Sequence, residues 1–185
     1  MVMVTEMHLR ESEGGRERFN YRGMHRYLIT LFIAKAGAVI PDREFVLSLL
    51  SSLRKASSEH GFDVYAYCIM PDRLVMIVRG KTEVSDMKQF LSAFRVFSSA
   101  GHAARGEVLW ARKYRERVLR KTEVTRDVAE GVFRLPVTLG LVVPPGKYEF
   151  QGSFVVPSMT QRSPRARTPR KAGRHFPPRR DKPIT

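Results

Sequence analysis

Cysteine, acidic residues and long apolar segments are all scarce in this sequence. The 185 residues include one cysteine, Cys68, which excludes an internal disulfide and favours a reducing compartment. No apolar run approaches the roughly 20 residues that a membrane-spanning helix needs. The first 20 residues contain no basic segment followed by a long apolar core, so no secretory signal is expected. These absences predict a soluble, cytoplasmic protein with no membrane partner.

The shortage of acidic residues leaves a large positive charge. The chain has 33 lysines and arginines against 18 acidic residues, and its formal net charge is +15. Residues 156–185 carry +8 of this charge, and residues 1–155 carry the remaining +7. A basic body with a still more basic tail favours a polyanionic partner, most often nucleic acid, although colloidal solubility is an alternative explanation.

The composition divides the chain into three parts. Residues 1–20 are polar and predict a flexible N-terminal segment, whereas residues 21–155 are long and apolar enough to bury a core. Residues 156–185 hold six of the eleven prolines and few large apolar side chains, which predicts a disordered basic tail. Such arms bind nucleic acid largely without sequence preference, or they serve only as solubilising segments. The candidate binding residues of the tail are Arg165, Arg167, Arg170 and Lys171.

Residues 21–155 alternate between strand and helix patterns. Their periodicity predicts the order β-α-β-β-α-β-α, with a hairpin in the middle of the domain. This order predicts an α+β fold in which helices pack on an antiparallel sheet. Four residues typical of helix ends are expected to mark the boundaries, namely Gly61 after the first helix, Ser85 before the second, and Thr125 and Pro136 at the two ends of the third.

The hairpin sequence YAYCIMPDRLVMIVRG, residues 65–80, resembles a known signature. In the single-tyrosine HUH transposases, especially the REP-associated type, one strand ends in Met-Pro-Asn and the next opens with His-x-His. Three further blocks resemble that family in order and spacing. They are LWARKYRERVLR (109–120), LPVTLGLV (135–142) and PGKYEFQGSF (145–154). The resemblance covers residues 21–154 and implies a ferredoxin-like or RRM-like sheet that recognises single-stranded or hairpin DNA.

The same resemblance implies a metal site and a nucleophile that this sequence lacks. The family's two histidines hold Mg²⁺ or Mn²⁺, and their positions are occupied by Arg73 and Val75. Arginine offers no lone pair at working pH, and valine has no donor atom. The family's nucleophilic tyrosine falls at Gly131, which has no hydroxyl. The sequence therefore predicts no catalytic residues at these positions and no metal cofactor.

Two places in the sequence have basic side chains that could bind phosphate. Arg73 could supply a fixed guanidinium to a phosphate, or it could pair with a neighbouring acid such as Asp72. Cations also crowd the segment after Trp110, where they suit phosphate binding with base stacking. The alternative is that Trp110 and Tyr114 are core residues and the charges form a solvated edge. The candidate binding residues of this segment are Arg112, Lys113, Tyr114, Arg115, Arg117 and Arg120.

The leading prediction is therefore a DNA-binding, catalytically inactive relative of these transposases, which would be located at the nucleoid. Three alternatives remain open. The first is an active transposase with relocated site residues, for which Tyr114 is the best substitute nucleophile. The second is a non-catalytic protein that binds RNA or a ribonucleoprotein, and the third is a decaying gene product. The sequence also leaves open whether the protein forms a homodimer.

Overall fold

The computed structural model describes residues 19–34, 42–144 and 146–155 of the chain. Strands and helices alternate along these residues nearly as the sequence predicts. None of the described helices is long and apolar enough to cross a membrane. The elements are β1 (Arg26–Ile33), α1 (Arg43–Glu59), β2 (Phe62–Met70), β3 (Arg73–Gly80), α2 (Met87–Ala103), β4 (Trp110–Val118), α3 (Thr125–Thr138) and β5 (Gln151–Gly152).

The five strands form one antiparallel sheet in the order β4-β1-β3-β2-β5. The hairpin of β2 and β3 turns at Pro71 and Asp72, and it places β3 at the centre of the sheet. The predicted α+β fold is confirmed. β5 is an addition that the sequence pattern does not predict, because two residues are too few to show strand alternation.

The boundaries of α1 follow from its flanking residues. Asp42 is the N-cap, and its side chain accepts a hydrogen bond of 2.7 Å from the amide of Phe45. Gly61 follows the helix with a φ of +65°, a conformation that glycine adopts without steric cost. The predicted role of Gly61 is confirmed.

The predicted starts of the second and third helices need correction. Asp86, not Ser85, caps α2, and its carboxylate accepts hydrogen bonds from the amides of Lys88 and Gln89 in the first turn. Ser85 is buried instead and donates a 2.8 Å hydrogen bond to the carbonyl oxygen of Gly61. Thr125 is the first residue of α3 and not its N-cap. Its hydroxyl accepts a 2.6 Å hydrogen bond from Arg26.

α3 ends at Thr138, two residues after Pro136, so the predicted end of the helix near this proline is confirmed. Proline has no backbone amide donor, so a helix loses one hydrogen bond at each proline. Pro136 lies in the last turn of α3, where few helical hydrogen bonds remain to be disturbed. The amide of Leu139 still donates to the carbonyl of Leu135 at 2.9 Å. Pro136 is itself buried, so packing holds the turn together.

The two faces of the sheet have different covers. We call the face that carries Ile29 and Met76 the inner face, and it packs on α1 and α2 in the larger buried cluster. We call the opposite face the outer face, and α3 packs there against β2 and β3. The smaller buried cluster lies between α3 and the outer face, and it consists of Ala66, Cys68, Met70, Val75, Ile77, Leu119, Ala129 and Val132.

Candidate nucleic-acid interface

Arg73 and Val75 both lie on the outer face, as the strand period requires. Arg73 opens β3 and stands opposite Phe32 of β1, and Val75 stands opposite Thr30. The Nε of Arg73 donates a 2.9 Å hydrogen bond to Asp72 Oδ2, and the two residues form an ion pair. The hydrogen bond that Arg73 donates to Asp72 raises the pKa of Arg73 above its usual range. The structure therefore contains the pair with Asp72 that the sequence offers as one of two explanations of Arg73.

The residues at these two positions do not fit a divalent metal. The Arg73 guanidinium stays protonated, and Val75 is 5% exposed within the apolar cluster beneath α3. In the part of the chain that the structure describes, no group of three or more His, Cys, Asp or Glu side chains could hold a metal ion.

Gly131 lies in the middle of α3 and is exposed to solvent. A methyl group placed on its Cα would meet no atom within 4 Å. The position where the family resemblance implies a nucleophile therefore has room for a side chain but offers no hydroxyl.

The register of β4 divides its side chains between the two faces. Arg115 stands opposite Thr30 and Arg117 opposite Leu28, so both arginines lie on the outer face. Tyr114 stands opposite Leu31, on the inner face. The pairing shifts at a bulge between Leu31 and Ile33, and the exposed residues Arg112 and Lys113 lie in the facing part of β4.

The aromatic residues of this segment serve the inner face. Trp110 is 3% exposed, and its Nε1 donates a 2.8 Å hydrogen bond to Ser98 of α2. The hydroxyl of Tyr114 accepts a 2.7 Å hydrogen bond from Nζ of Lys88. The pairing of β4 with β1 places Tyr114 and Arg115 on opposite faces of the sheet. The aromatic ring and the cation, which are neighbours in the sequence, therefore do not share a surface. Tyr114 also lies across the sheet from Arg73, away from the position of the family's metal.

Arg117 takes part in a clamp that fastens the segment before α3 to the sheet. Its Nη1 donates to both carboxylate oxygens of Glu123, at 2.6 and 2.8 Å. The amide of Arg120 donates to the same carboxylate at 2.7 Å, and Arg26 donates to the carbonyl oxygen of Glu123 at 2.8 Å. Burial acts to raise the pKa of Glu123, but the hydrogen bonds and charges of Arg120 and Arg117 outweigh burial and hold that pKa below its usual range. Arg117 is thus committed to an internal partner.

The other basic residues predicted for this segment remain available. Arg112, Lys113, Arg115 and Arg120 are all exposed. Within the described ranges, none of their side chains forms an ion pair or a hydrogen bond with another residue. The predicted tail residues Arg165, Arg167, Arg170 and Lys171 lie outside the described residues.

We call the outer face of β1 and β4 the open half, defined by Thr30, Phe32 and Arg115. These three residues are half-buried or exposed, because α3 packs on the neighbouring strands. Leu28, on the same face of β1, packs instead against the smaller cluster. We call the outer face of β2 and β3 beneath α3 the sealed half, defined by Ala66, Cys68, Val75 and Ile77, all of which are buried. The open half joins a strip of half-exposed apolar surface to unpaired cations.

Phe32, like Leu28 and Thr30, belongs to no motif of the sequence. It belongs to an apolar strand, RYLITLFI, in which every second residue faces outward. The alternation of buried and half-buried positions along β1 is the signal that could have separated Leu28, Thr30 and Phe32 from the core.

Comparison with solved structures finds a protein with a similar fold. A REP-associated tyrosine transposase bound to a REP hairpin matches 82% of this chain and 99% of its own chain, with a TM-score of 0.58 and 16% identity. The fold is transposase-like. A suspected transposase from Deinococcus radiodurans covers 65% of this chain and 94% of its own, with a TM-score of 0.43 and 21% identity. No family model and no curated protein matches the sequence.

Within this transposase-like fold, the outer face contains both regions of interest. The positions that the resemblance associates with a metal lie at β3, where Arg73 pairs with Asp72 and Val75 is buried. The unpaired cations lie on the edge strand β4, with one strand between them and β3. The arrangement offers charge and apolar surface to a polyanion but no acid, base or nucleophile pair at Arg73 and Val75.

Proposed function

We propose that the open half binds single-stranded or hairpin DNA and that the protein does not cut it. The observation that carries this proposal is Arg115 on the outer face, together with the exposed cations Arg112 and Lys113 of the same edge strand, all three without a carboxylate partner among the described residues. Positive side chains that border a shallow apolar surface suit a single strand, because phosphates need charge and unpaired bases need flat contacts.

The edge position of β4 supports this use. An edge strand with free backbone groups invites pairing with another strand, and a row of cations discourages it through charge repulsion. The cations of β4 therefore favour a polyanionic ligand over a second copy of the same strand. The net charge of +15 attracts such a ligand over a longer range.

The solved neighbour supports the choice of ligand. That transposase was captured with a REP hairpin, and it shares this fold over most of both chains. The residues that could move a phosphoryl group are absent here at Arg73, Val75 and Gly131. The proposal therefore keeps DNA binding and omits strand transfer, and it places the protein at the nucleoid.

Charge removal on the two faces tests the binding surface. The full-length triple variant R112Q/K113Q/R115Q removes three cations from β4. The control R43Q/R54Q/K55Q removes three exposed cations from α1, on the other side of the sheet. Affinity for a labelled single strand is measured across a salt series.

If each β4 cation neutralises one phosphate, the slope of log affinity against log salt falls by about 2 in the β4 variant. Its affinity falls by at least about tenfold at low salt, whereas the α1 control changes little. Equal losses in the two variants would contradict a defined surface and leave only general charge attraction.

Covalent chemistry is tested separately. The wild-type protein is incubated with hairpin DNA and Mg²⁺ or Mn²⁺, and denaturing gels reveal any protein–DNA adduct. We expect no adduct, because Gly131 cannot form a phosphotyrosine link. An adduct that disappears in Tyr114→Phe would instead support relocated chemistry, and stronger binding to matched RNA would support the RNA-binding alternative.

A further inference from the structure

Phe32 holds an uncommon place on the outer face. It is a large apolar side chain near the end of β1, half-buried and directly opposite Arg73. Among the described residues, it packs with neither of the two buried clusters. An aromatic ring that is partly open to solvent and outside both clusters contributes less to stability than a core residue. The ring is therefore available for contact with a ligand.

A guanidinium group from each neighbouring strand lies over the ring. Cζ of Arg73 lies 5.5 Å from the ring centroid, and Cζ of Arg115 lies 5.6 Å from it. Both distances fall within the range of about 6 Å in which cations are attracted to aromatic faces. The two arginines approach from different strands, because β1 lies between β3 and β4.

The two arginines differ in charge balance. Arg73 is held by Asp72, so the β3 side of the ring is close to neutral and fixed in place. Arg115 has no carboxylate partner among the described residues, so the β4 side carries a free positive charge. The ring therefore lies between two guanidinium groups. The charge of Arg73 is neutralised by Asp72, whereas the charge of Arg115 is available to attract an anion.

We propose that Phe32 is a stacking platform for one unpaired base of single-stranded DNA, with Arg115 bound to the adjoining phosphate. The inference rests on the proposed DNA binding and assigns it a contact residue. A nucleotide joins a flat π surface to a negative phosphate, which matches the apolar ring and the free guanidinium beside it. Bases in a duplex are stacked on one another, so the platform favours single-stranded regions or loops.

Three substitutions at Phe32 separate stacking from folding. Phe32→Ala removes the ring, Phe32→Leu keeps apolar volume without a π face, and Phe32→Trp keeps the π face. The control is Phe154→Ala, which removes another half-buried ring that lies under a guanidinium, that of Arg54 at 4.0 Å, on the inner side. Thermal unfolding of each full-length variant verifies that it is folded. If Phe32→Ala does not fold, the leucine and tryptophan variants decide the question.

The probe is a mixed-sequence DNA single strand labelled at one end. We expect Phe32→Ala and Phe32→Leu to lose roughly 5- to 100-fold in affinity, which corresponds to one stacked base. Their salt dependence stays that of the wild type, because no charge is removed. Phe32→Trp keeps its affinity, and its added fluorescence is quenched when DNA binds. The native Trp110 contributes a constant background, since it is buried on the inner face.

Two different failures can be told apart. Wild-type affinity in both Phe32→Ala and Phe32→Leu, in an assay where R112Q/K113Q/R115Q loses affinity, would overturn the platform and leave the proposed function standing. Absence of single-strand binding by the wild type would overturn the proposed function itself. Tighter, Phe32-dependent binding of an RNA strand of the same sequence would overturn the assignment to DNA.

Discussion

The sealed half and the open half of the outer face lie side by side in one sheet but are built from different chemistry. In the sealed half, Val75 and Ile77 are buried under α3. In the open half, Thr30 and Phe32 remain half-exposed next to Arg115. The difference teaches that the position of one helix decides which part of a sheet stabilises the protein and which part remains available for a ligand.

Arg73 stands at the border of the two halves. It shares a strand face with buried Val75 and borders the Phe32 ring of the open half. Its pairing with Asp72 compensates a charge that would otherwise lie next to the apolar cluster. Arg73, at a position where the family resemblance implies a histidine, therefore borders the apolar cluster as a neutralised charge and contacts the Phe32 ring through its planar guanidinium.

The largest expected effect is a loss of stability in the sealed half. Ile77 is fully buried, and Ile77→Ala should lower the free energy of unfolding by about 2–5 kcal/mol. The matched change in the open half, Thr30→Ala, should cost less than about 1 kcal/mol, because the side chain is half-exposed. Urea denaturation of both variants measures the contrast. Equal losses would mean that α3 does not divide the face into a core and a free surface.

The clamp between β4 and the segment before α3 should have the next largest effect. Glu123→Gln removes a carboxylate that receives hydrogen bonds from Arg117 and Arg120, and we expect a loss of about 1–2 kcal/mol at pH 7. Glu130→Gln is the control, since Glu130 pairs with Arg126 and Arg134 on the exposed side of α3. Surface pairs of this kind contribute about 0–1 kcal/mol.

The contribution of Glu123 should depend on pH in a fixed direction. Its pKa is lower in the folded protein than in the unfolded chain, so folding favours the ionised form. The stabilisation is fully present above the unfolded pKa of about 4.3 and is lost as the pH falls through the folded pKa. Wild type and Glu123→Gln should therefore converge in stability at acidic pH. A difference that stays constant down to that range would show that the carboxylate charge is not what holds the segment before α3.

A smaller effect is expected at the border of the two halves. Asp72→Asn keeps the size of the side chain but weakens its hold on Arg73, whose guanidinium then becomes free for a phosphate. One further phosphate contact steepens the salt slope of single-strand binding by about 0.7. Asp63→Asn is the control, because it removes the same charge next to Lys81, at the opposite end of β2. If both variants change the slope equally, the effect comes from net charge and not from Arg73.

Local sequence signals predict much of this fold. The hairpin turn at Pro71 and Asp72 and the end of α1 at Gly61 both depend on residues within a few positions of one another. The misplaced cap has the same origin, because Ser85 and Asp86 are adjacent and both are good caps. A hydrogen bond from Ser85 to a loop 24 residues away decides between them, and the sequence does not show that contact.

The candidate site is less predictable than the fold, because it depends on contacts between distant segments. The cations of β4 are visible as a cluster in the sequence, but their faces depend on pairing with β1. The commitment of Arg117 to Glu123 and the placement of Phe32 between two arginines also depend on the folded sheet. Residue type therefore predicts the chemistry of the site, and the register of the sheet selects which residues remain free to perform it.

The smallest expected effect concerns α3, the helix that creates the two halves. Gly131 lies within this helix with open space around its Cα, so Gly131→Ala should stabilise the protein by roughly 0.5–1 kcal/mol. Alanine loses less backbone entropy on folding and meets no neighbour. The control is Gly61→Ala, where a φ of +65° and Ser85 Oγ at 3.1 Å from an added Cβ predict a loss instead. If Gly131→Ala also lowers the free energy of unfolding, the backbone of α3 makes a close contact at Gly131 that a methyl group disrupts. The boundary between the sealed half and the open half would then have to be redrawn.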